Sequence, residues 1–323
     1  MEVENLIYPP NKPLERVLLQ SEEPVLYDYL SIVDVNDKGE FILGCSNVSG
    51  GYWESSLFFY NNDTAALSNE YSSYFRGTAS ISDAILIPNT TKILLAEDTL
   101  SLKLVDTTNS PSLLKCEDFL FTNALVQQLA AWHTNKKIVG CADTQVTIWN
   151  ASNGLELLAE FKNIHTDVIK SVSVNKTDNN LFATASMDKQ ACVWDDRMKQ
   201  PAAVLYQNHF CGLTSVVWNP RCSQQIVIGS KAGELYNIDV RQPKEFLTYH
   251  HCFDSPIHRL KFNELGNLAM CGDRTEVMIF NCEENFNLLH KANKHSSYVR
   301  GIAWLENVLY SCGFDKHIIK HVF

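Results

Sequence analysis

The stretch Phe182-Ala183-Thr184-Ala185-Ser186-Met187-Asp188-Lys189-Gln190-Ala191-Cys192-Val193-Trp194-Asp195 aligns without a gap on Lys137-Ile138-Val139-Gly140-Cys141-Ala142-Asp143-Thr144-Gln145-Val146-Thr147-Ile148-Trp149-Asn150. Each copy is a short apolar run, a polar turn at Asp, and an alternating segment ending in Trp, which is how a β-hairpin reads. The same shape returns at Ile93–Asp106, Ile226–Asp239, Leu268–Asn281 and Val308–His321. The turn positions Asp98, Asp143, Asp188, Ala232, Asp273 and Asp315 lie 45, 45, 44, 41 and 42 residues apart. A period in the low forties built on hairpins is the signature of a four-stranded propeller blade.

A further strand precedes each hairpin. Val126–Trp132, Leu213–Trp218 and Tyr298–Trp304 end on Trp, and Val168–Val174 and Ile257–Phe262 fill the same slot. Asn outnumbers the 14 Gly and supplies turns that need a left-handed residue. No segment keeps a helical period for three turns, so the chain reads as all-β. Tyr29–Val35, Glu40–Cys45 and Leu57–Tyr60 make a weaker first unit, for a count of seven. The expected architecture is a seven-bladed WD40-type β-propeller over residues 29–323, after a lead-in at 1–28. The last unit stops after its third strand, so a segment of the lead-in, Leu14–Gln20, is expected to add the strand that closes the ring and removes its free edges.

Composition narrows the function. The 323 residues are 45% apolar and 20% charged, enough for a substantial core. A formal charge of −10 argues against a general nucleic-acid or anionic-membrane binder and favours basic partners. Apolar runs fall short of the roughly 18–20 residues of a membrane helix, and Met1–Asn11 lacks the basic and apolar regions of a signal peptide. Ten cysteines contain no CxxC pair, and Cys45, Cys141, Cys271 and Cys312 sit late in apolar runs as small hydrophobes. These features point to a reducing, intracellular location, so the sequons at Asn47, Asn62, Asn89, Asn150 and Asn175 are expected to serve turns.

His165, Thr184, Asp188 and Trp194 have the residue types of a catalytic set, yet they follow the repeat register. The expectation is an internal hydrogen-bonded tetrad that satisfies buried polar groups, with His295 and Asp315 in the matching slots of the last blade. No nucleophile elbow, zinc-binding helix or phosphate-binding glycine loop occurs in a suitable context. His250-His251 and His317 with His321 lack the further ligands that a metal would need. No catalysis, cofactor or metal is expected. Five of the six tryptophans end strands, whereas Trp53 lies in a Gly50-Gly51-Tyr52-Trp53 loop of the first unit, a placement suited to a protein–protein anchor.

The chain also resembles a known family. His295-Ser296-Ser297-Tyr298-Val299-Arg300-Gly301-Ile302-Ala303-Trp304, the tail Gly313–Val322, Val193-Trp194-Asp195-Asp196-Arg197, Thr214–Pro220 and Gly51-Tyr52-Trp53-Glu54-Ser55 are similar to the WD-repeat subunit of the methylosome, partner of the type II protein arginine methyltransferase. The resemblance implies a non-catalytic scaffold that binds and stabilises the methyltransferase in a hetero-oligomer. It would present basic Arg-rich substrates, such as histone tails and Sm-type proteins, in cytoplasm and nucleus. It implies partner contacts at Trp53, Tyr52 and Asp98, and at the position aligned with Leu289 or His290. The family's Arg two residues before the loop Trp is replaced by Gly51. Trp194-Asp195-Asp196-Arg197 also matches the WDxR pattern of substrate receptors for cullin–RING ubiquitin ligases, which assigns Asp195 and Arg197 to adaptor binding in the alternative reading.

Overall fold

A computed structural model describes residues 24–47, 54–108, 112–162, 164–198, 200–201, 203–208, 210–243, 245–282 and 286–323. The proposed closing strand Leu14–Gln20 and the loop residues Tyr52 and Trp53 lie outside them.

Among the described residues, twenty-seven strands form seven antiparallel sheets, each an up-and-down meander. Blade one is β1 (Tyr29–Val35), β2 (Phe41–Asn47), β3 (Glu54–Tyr60) and β4 (Ser73–Gly77). Blade two runs from β5 (Ile81–Leu86) through β6 (Lys92–Glu97) and β7 (Ser101–Asp106) to β8 (Lys115–Phe121). Blade three holds β9 (Val126–Ala131), β10 (Lys137–Ala142), β11 (Gln145–Asn150) and β12 (Glu156–Phe161). Blade four holds β13 (Ile169–Val174), β14 (Leu181–Ser186), β15 (Gln190–Asp195) and β16 (Ala203–Gln207). Blade five is β17 (Leu213–Trp218), β18 (Gln225–Ser230), β19 (Glu234–Asp239) and β20 (Phe246–His251). Blade six is β21 (Ile257–Phe262), β22 (Asn267–Gly272), β23 (Glu276–Asn281) and β24 (Asn287–Asn293). Blade seven has three described strands, β25 (Val299–Leu305), β26 (Val308–Gly313) and β27 (Ile318–His321).

Burial is graded from the middle of each blade outward. The second strands, such as β14 and β18, are buried from their second residue to their last, because neighbouring blades cover both faces. The fourth strands β8, β12 and β20 are mostly exposed. The apolar side chains therefore pack between blades rather than in one central core. One such cluster joins Leu30, Val33, Phe41 and Tyr60 of blade one to Ala303, Tyr310 and Cys312 of blade seven, so the ring closes through packing. A six-residue helix, Asp63–Ser68, adds a latch: Tyr310 Oη and Lys320 Nζ both donate to Asp63 Oδ2 at 2.7 Å. Asn62 caps this helix by accepting from Ala65 N at 2.8 Å. At under two turns, it leaves no periodic trace in the sequence.

Each innermost strand carries a β-bulge at its second or third residue. In blades one to three the bulged residues are Ser31, Ser82 and Gln127. In blades four to seven they are Lys170, Thr214, His258 and Arg300. An extra residue re-aims the side chain, and all seven of these residues line one end of the central channel, a cavity of about 430 Å³.

Candidate protein-interaction face

The turns between second and third strands share one face of the ring with the loops that link successive blades. In blade four this geometry assembles a hydrogen-bonded chain. Trp194 Nε1 donates to Thr184 Oγ1 at 2.8 Å, Thr184 Oγ1 lies 2.8 Å from His165 Nε2, and His165 Nδ1 lies 2.7 Å from Asp188 Oδ2. Asp188 also accepts from Thr166 N and Gln190 N, tying the blade-linking loop to the turn. Burial alone would raise the Asp188 carboxyl, but the His165 and backbone hydrogen bonds outweigh it and hold the group below its usual value. Each of these four side chains thus finds its hydrogen-bond partners within the blade and the loop that leads into it.

The other blades vary this arrangement. In blade seven, His295 Nδ1 lies 2.9 Å from Asp315 Oδ2, and Ser311 Oγ lies 2.8 Å from His295 Nε2 and 2.7 Å from His321 Nε2. His321 thus occupies the place of Trp194. Blade five has Ala232 at the turn in place of Asp, and Glu234 substitutes, accepting from Tyr236 Oη at 2.7 Å, Ser230 Oγ and Tyr249 Oη. Burial would raise Glu234, and these hydroxyls together draw it below the usual carboxylate range. Periodicity located Ala232 but not its replacement two residues later.

Asp98 sits at the β6–β7 turn with its backbone N–H bound to Ser80 O at 3.0 Å. Its Oδ2 is buried without a hydrogen-bond partner among the described residues. Burial and the adjacent Glu97 charge push its carboxyl above the usual value. Asp188 and Asp315, by contrast, are each held by a histidine.

His290 is placed differently. Its ring stacks on Phe323 at 5.8 Å and meets His321 edge-on at 6.1 Å, so it packs against blade seven; Leu289, beside it on β24, is 44% exposed. Trp304, read from the repeat as core, is only half-buried and lies edge-on to Phe323 at 5.9 Å.

Asp195 and Arg197 lie near the opposite face, at the end of β15. Asp195 accepts from Arg197 N at 3.0 Å and Nε at 2.8 Å, with Nη2 at 2.5 Å from Oδ2, while the Arg197 side chain is 64% exposed. Asp239 and Arg241 repeat this geometry one blade on, with Nε–Oδ1 at 2.9 Å and Nη2–Oδ2 at 2.6 Å. The Trp-Asp-x-Arg reading missed this copy because Ile238 stands where Trp was sought. Both copies close the turn that follows a third strand.

Comparison with known proteins agrees with this geometry. The family profile "WD domain, G-beta repeat" matches residues 156–195, the segment containing the blade-four chain. The chain is a seven-bladed WD40-type β-propeller. Its repeats are 28% identical over 115 residues to a guanine nucleotide-binding protein subunit beta of Oryza sativa subsp. japonica, covering 35% of this chain and 30% of that one. They are 24% identical over 177 residues to "Cell division cycle 20.4, cofactor of APC complex" of Arabidopsis thaliana, covering 53% and 38%. The chain thus matches under two fifths of the length of these curated relatives. A chain in the solved structure "COPII on membranes, outer coat vertex" superposes with a TM-score of 0.77 at 16% identity, covering 92% of this chain and 84% of that one, a likeness of fold. Among the described residues, no three or more His, Cys, Asp or Glu converge as a metal site.

Proposed function

We propose that this WD-repeat propeller is a non-catalytic scaffold that binds a type II protein arginine methyltransferase and presents Arg-rich substrates to it. The observation that carries the reading is Asp98. Its carboxyl is half-buried on the turn face of blade two, and the oxygen that lacks a hydrogen-bond partner among the described residues would be satisfied by a partner's donor once the turn shifts to admit it. The resemblance gives the companion contact to Trp53, which falls between β2 and β3 in the sequence and lies outside the described residues. The −10 charge supports the second half of the reading, since long-range attraction concentrates basic tails. The relatives' names, a G-protein subunit and a complex cofactor, agree with work inside larger assemblies. Chemistry and cofactor would then belong to the partner, in cytoplasm and nucleus.

The test is co-expression with a type II methyltransferase from the same organism. Trp53→Ala should weaken the complex by at least about thirtyfold, the effect of losing a hot-spot aromatic worth about 2 kcal/mol. Asp98→Asn should weaken it by about tenfold. Unchanged affinity in both variants removes these contacts from the reading, and failure of the wild type to bind removes the methyltransferase. The exposed, bidentate-held Arg197 supports the alternative, a cullin–RING substrate receptor. Arg197→Ala would abolish adaptor capture under that reading and leave methyltransferase binding intact.

A further inference from the structure

The two ends of the central channel differ in charge. The end on the first-to-second-strand turns, a cavity of about 360 Å³, mixes Asp34, Asp37, Glu264 and Glu306 with Lys38, Lys176 and Lys261. The end on the second-to-third-strand turns is lined by Lys170, Lys231, His258, Arg259 and Arg300 and, among the described residues, by no carboxylate. In a chain with ten more acidic than basic residues, that segregation is not a composition effect. Three of these side chains reach the mouth because they occupy bulges, so the backbone register aims Lys170, His258 and Arg300 into one opening.

Carboxylates behind the wall offset only part of this charge. Arg259 pairs with Asp83 at 2.7 Å, and Asp273 holds both Arg300 at 2.5 Å and His258 at 3.1 Å. Among the described residues, Lys170 Nζ donates only to the neutral Gln127 Oε1 at 3.1 Å, and the exposed Lys231 has no ion-pair partner. Arg300 Nε is buried without an acceptor among the described residues, while its guanidinium lies 5.2 Å from the ring centre of Phe314. Low-dielectric walls around uncompensated cations focus positive potential into the opening. The blade-linking loop between β16 and β17, on the same face, holds up Phe210 at 89% exposure, with its N–H fixed by Asn208 Oδ1 at 2.8 Å.

We propose that this mouth is a binding site for an acidic peptide segment whose phosphate or carboxylate side chain enters among Lys170, Lys231 and Arg300 while a neighbouring apolar residue packs on Phe210. The site stands on the bulge ring and its charge, independently of which protein docks at Trp53. An anion there meets Lys170 and Lys231, two cations without ionic partners among the described residues, beside the Arg300 guanidinium, and Phe210 supplies apolar contact that a free ion would not use.

The experiment is calorimetric titration of the full chain with three probes: the blocked pentapeptide Gly-Leu-phosphoserine-Leu-Gly, its Glu counterpart, and inorganic phosphate. Saturable binding of either peptide is expected, weakening with salt. Lys170→Glu with Lys231→Glu, which disturbs no internal ion pair, should weaken peptide binding by about tenfold or more. Lys176→Glu, at the other end of the channel, should leave it unchanged. Phe210→Ala should weaken the peptides and not free phosphate. The two peptide arms separate a phosphorylated from a carboxylate source. Absence of saturable peptide binding, or equal affinity in wild type and the double charge reversal, overturns the proposal. Free phosphate binding as tightly as the peptides, with Phe210→Ala silent, overturns the peptide assignment.

Discussion

Replacing His321 by Gln should flatten the acid limb of this protein's stability curve, and the structure sets the size of the effect. In blade seven, Asp315 fixes the proton of His295 on Nδ1, so His295 Nε2 accepts from the Ser311 hydroxyl. The serine oxygen is then left to accept from His321 Nε2–H at 2.7 Å. That tautomer leaves His321 Nδ1 bare, buried and without a partner among the described residues. Protonating it would place a charge where no acceptor waits. Burial, reinforced by the nearby Lys294 charge, lowers His321 from 6.5 to about 4. Between these values the unfolded chain binds a proton that the folded chain refuses, so stability is full above pH 6.5 and declines as pH falls toward 4. Integrated from neutrality to about pH 4.5, the loss from this residue is about 2 kcal/mol. His295, also lowered by burial, adds in the same direction. Asp315 is held below 3.8, and its stabilising contribution is lost only below that value, so it does not act in this window. Gln keeps an N–H for Ser311 but cannot titrate. Urea unfolding followed by tryptophan fluorescence should show wild type losing about 2 kcal/mol more than His321→Gln between neutral pH and about pH 4.5. Parallel pH profiles for the two proteins would refute the reasoning.

Two further perturbations test the blades. Thr184→Val removes the hydroxyl that accepts from Trp194 Nε1 and meets His165 Nε2, orphaning two buried groups; the expected cost is about 2–4 kcal/mol in the same unfolding assay. Gly140→Ala would put a methyl 2.7 Å from the Trp149 ring and 3.2 Å from Leu129 Cδ2. Overpacking there should destabilise by about 1–3 kcal/mol, read as a lower urea midpoint with an unchanged slope.

What could be read from the sequence follows from burial. The second strands lie between neighbouring blades and must be apolar along their length, and their hairpins carry the Asp turns, so the seven-fold period was legible. Free cysteines at positions 45, 141, 271 and 312 are fully buried, as their places in those runs required. The sequon residues Asn62, Asn150 and Asn175 accept turn or cap hydrogen bonds, and Asn89 adopts a left-handed φ of 58°. Fourth strands are solvent-facing and free to vary, which is why sequence located them poorly.

The sequence by itself determined the blade count, the all-β architecture and the tetrad of blade four, because each is local or repeats at a fixed interval. Only the tertiary structure decided the latch of Asp63 on blade seven, the pairing of Asp83 with Arg259 across 176 residues, and the gathering of Lys170, His258 and Arg300 at one mouth. These depend on bulges that turn one side chain per blade toward a shared axis, and on ring closure that brings the first and last blades together. A linear pattern encodes the period of a ring; which residues meet at its centre is set when the ring closes.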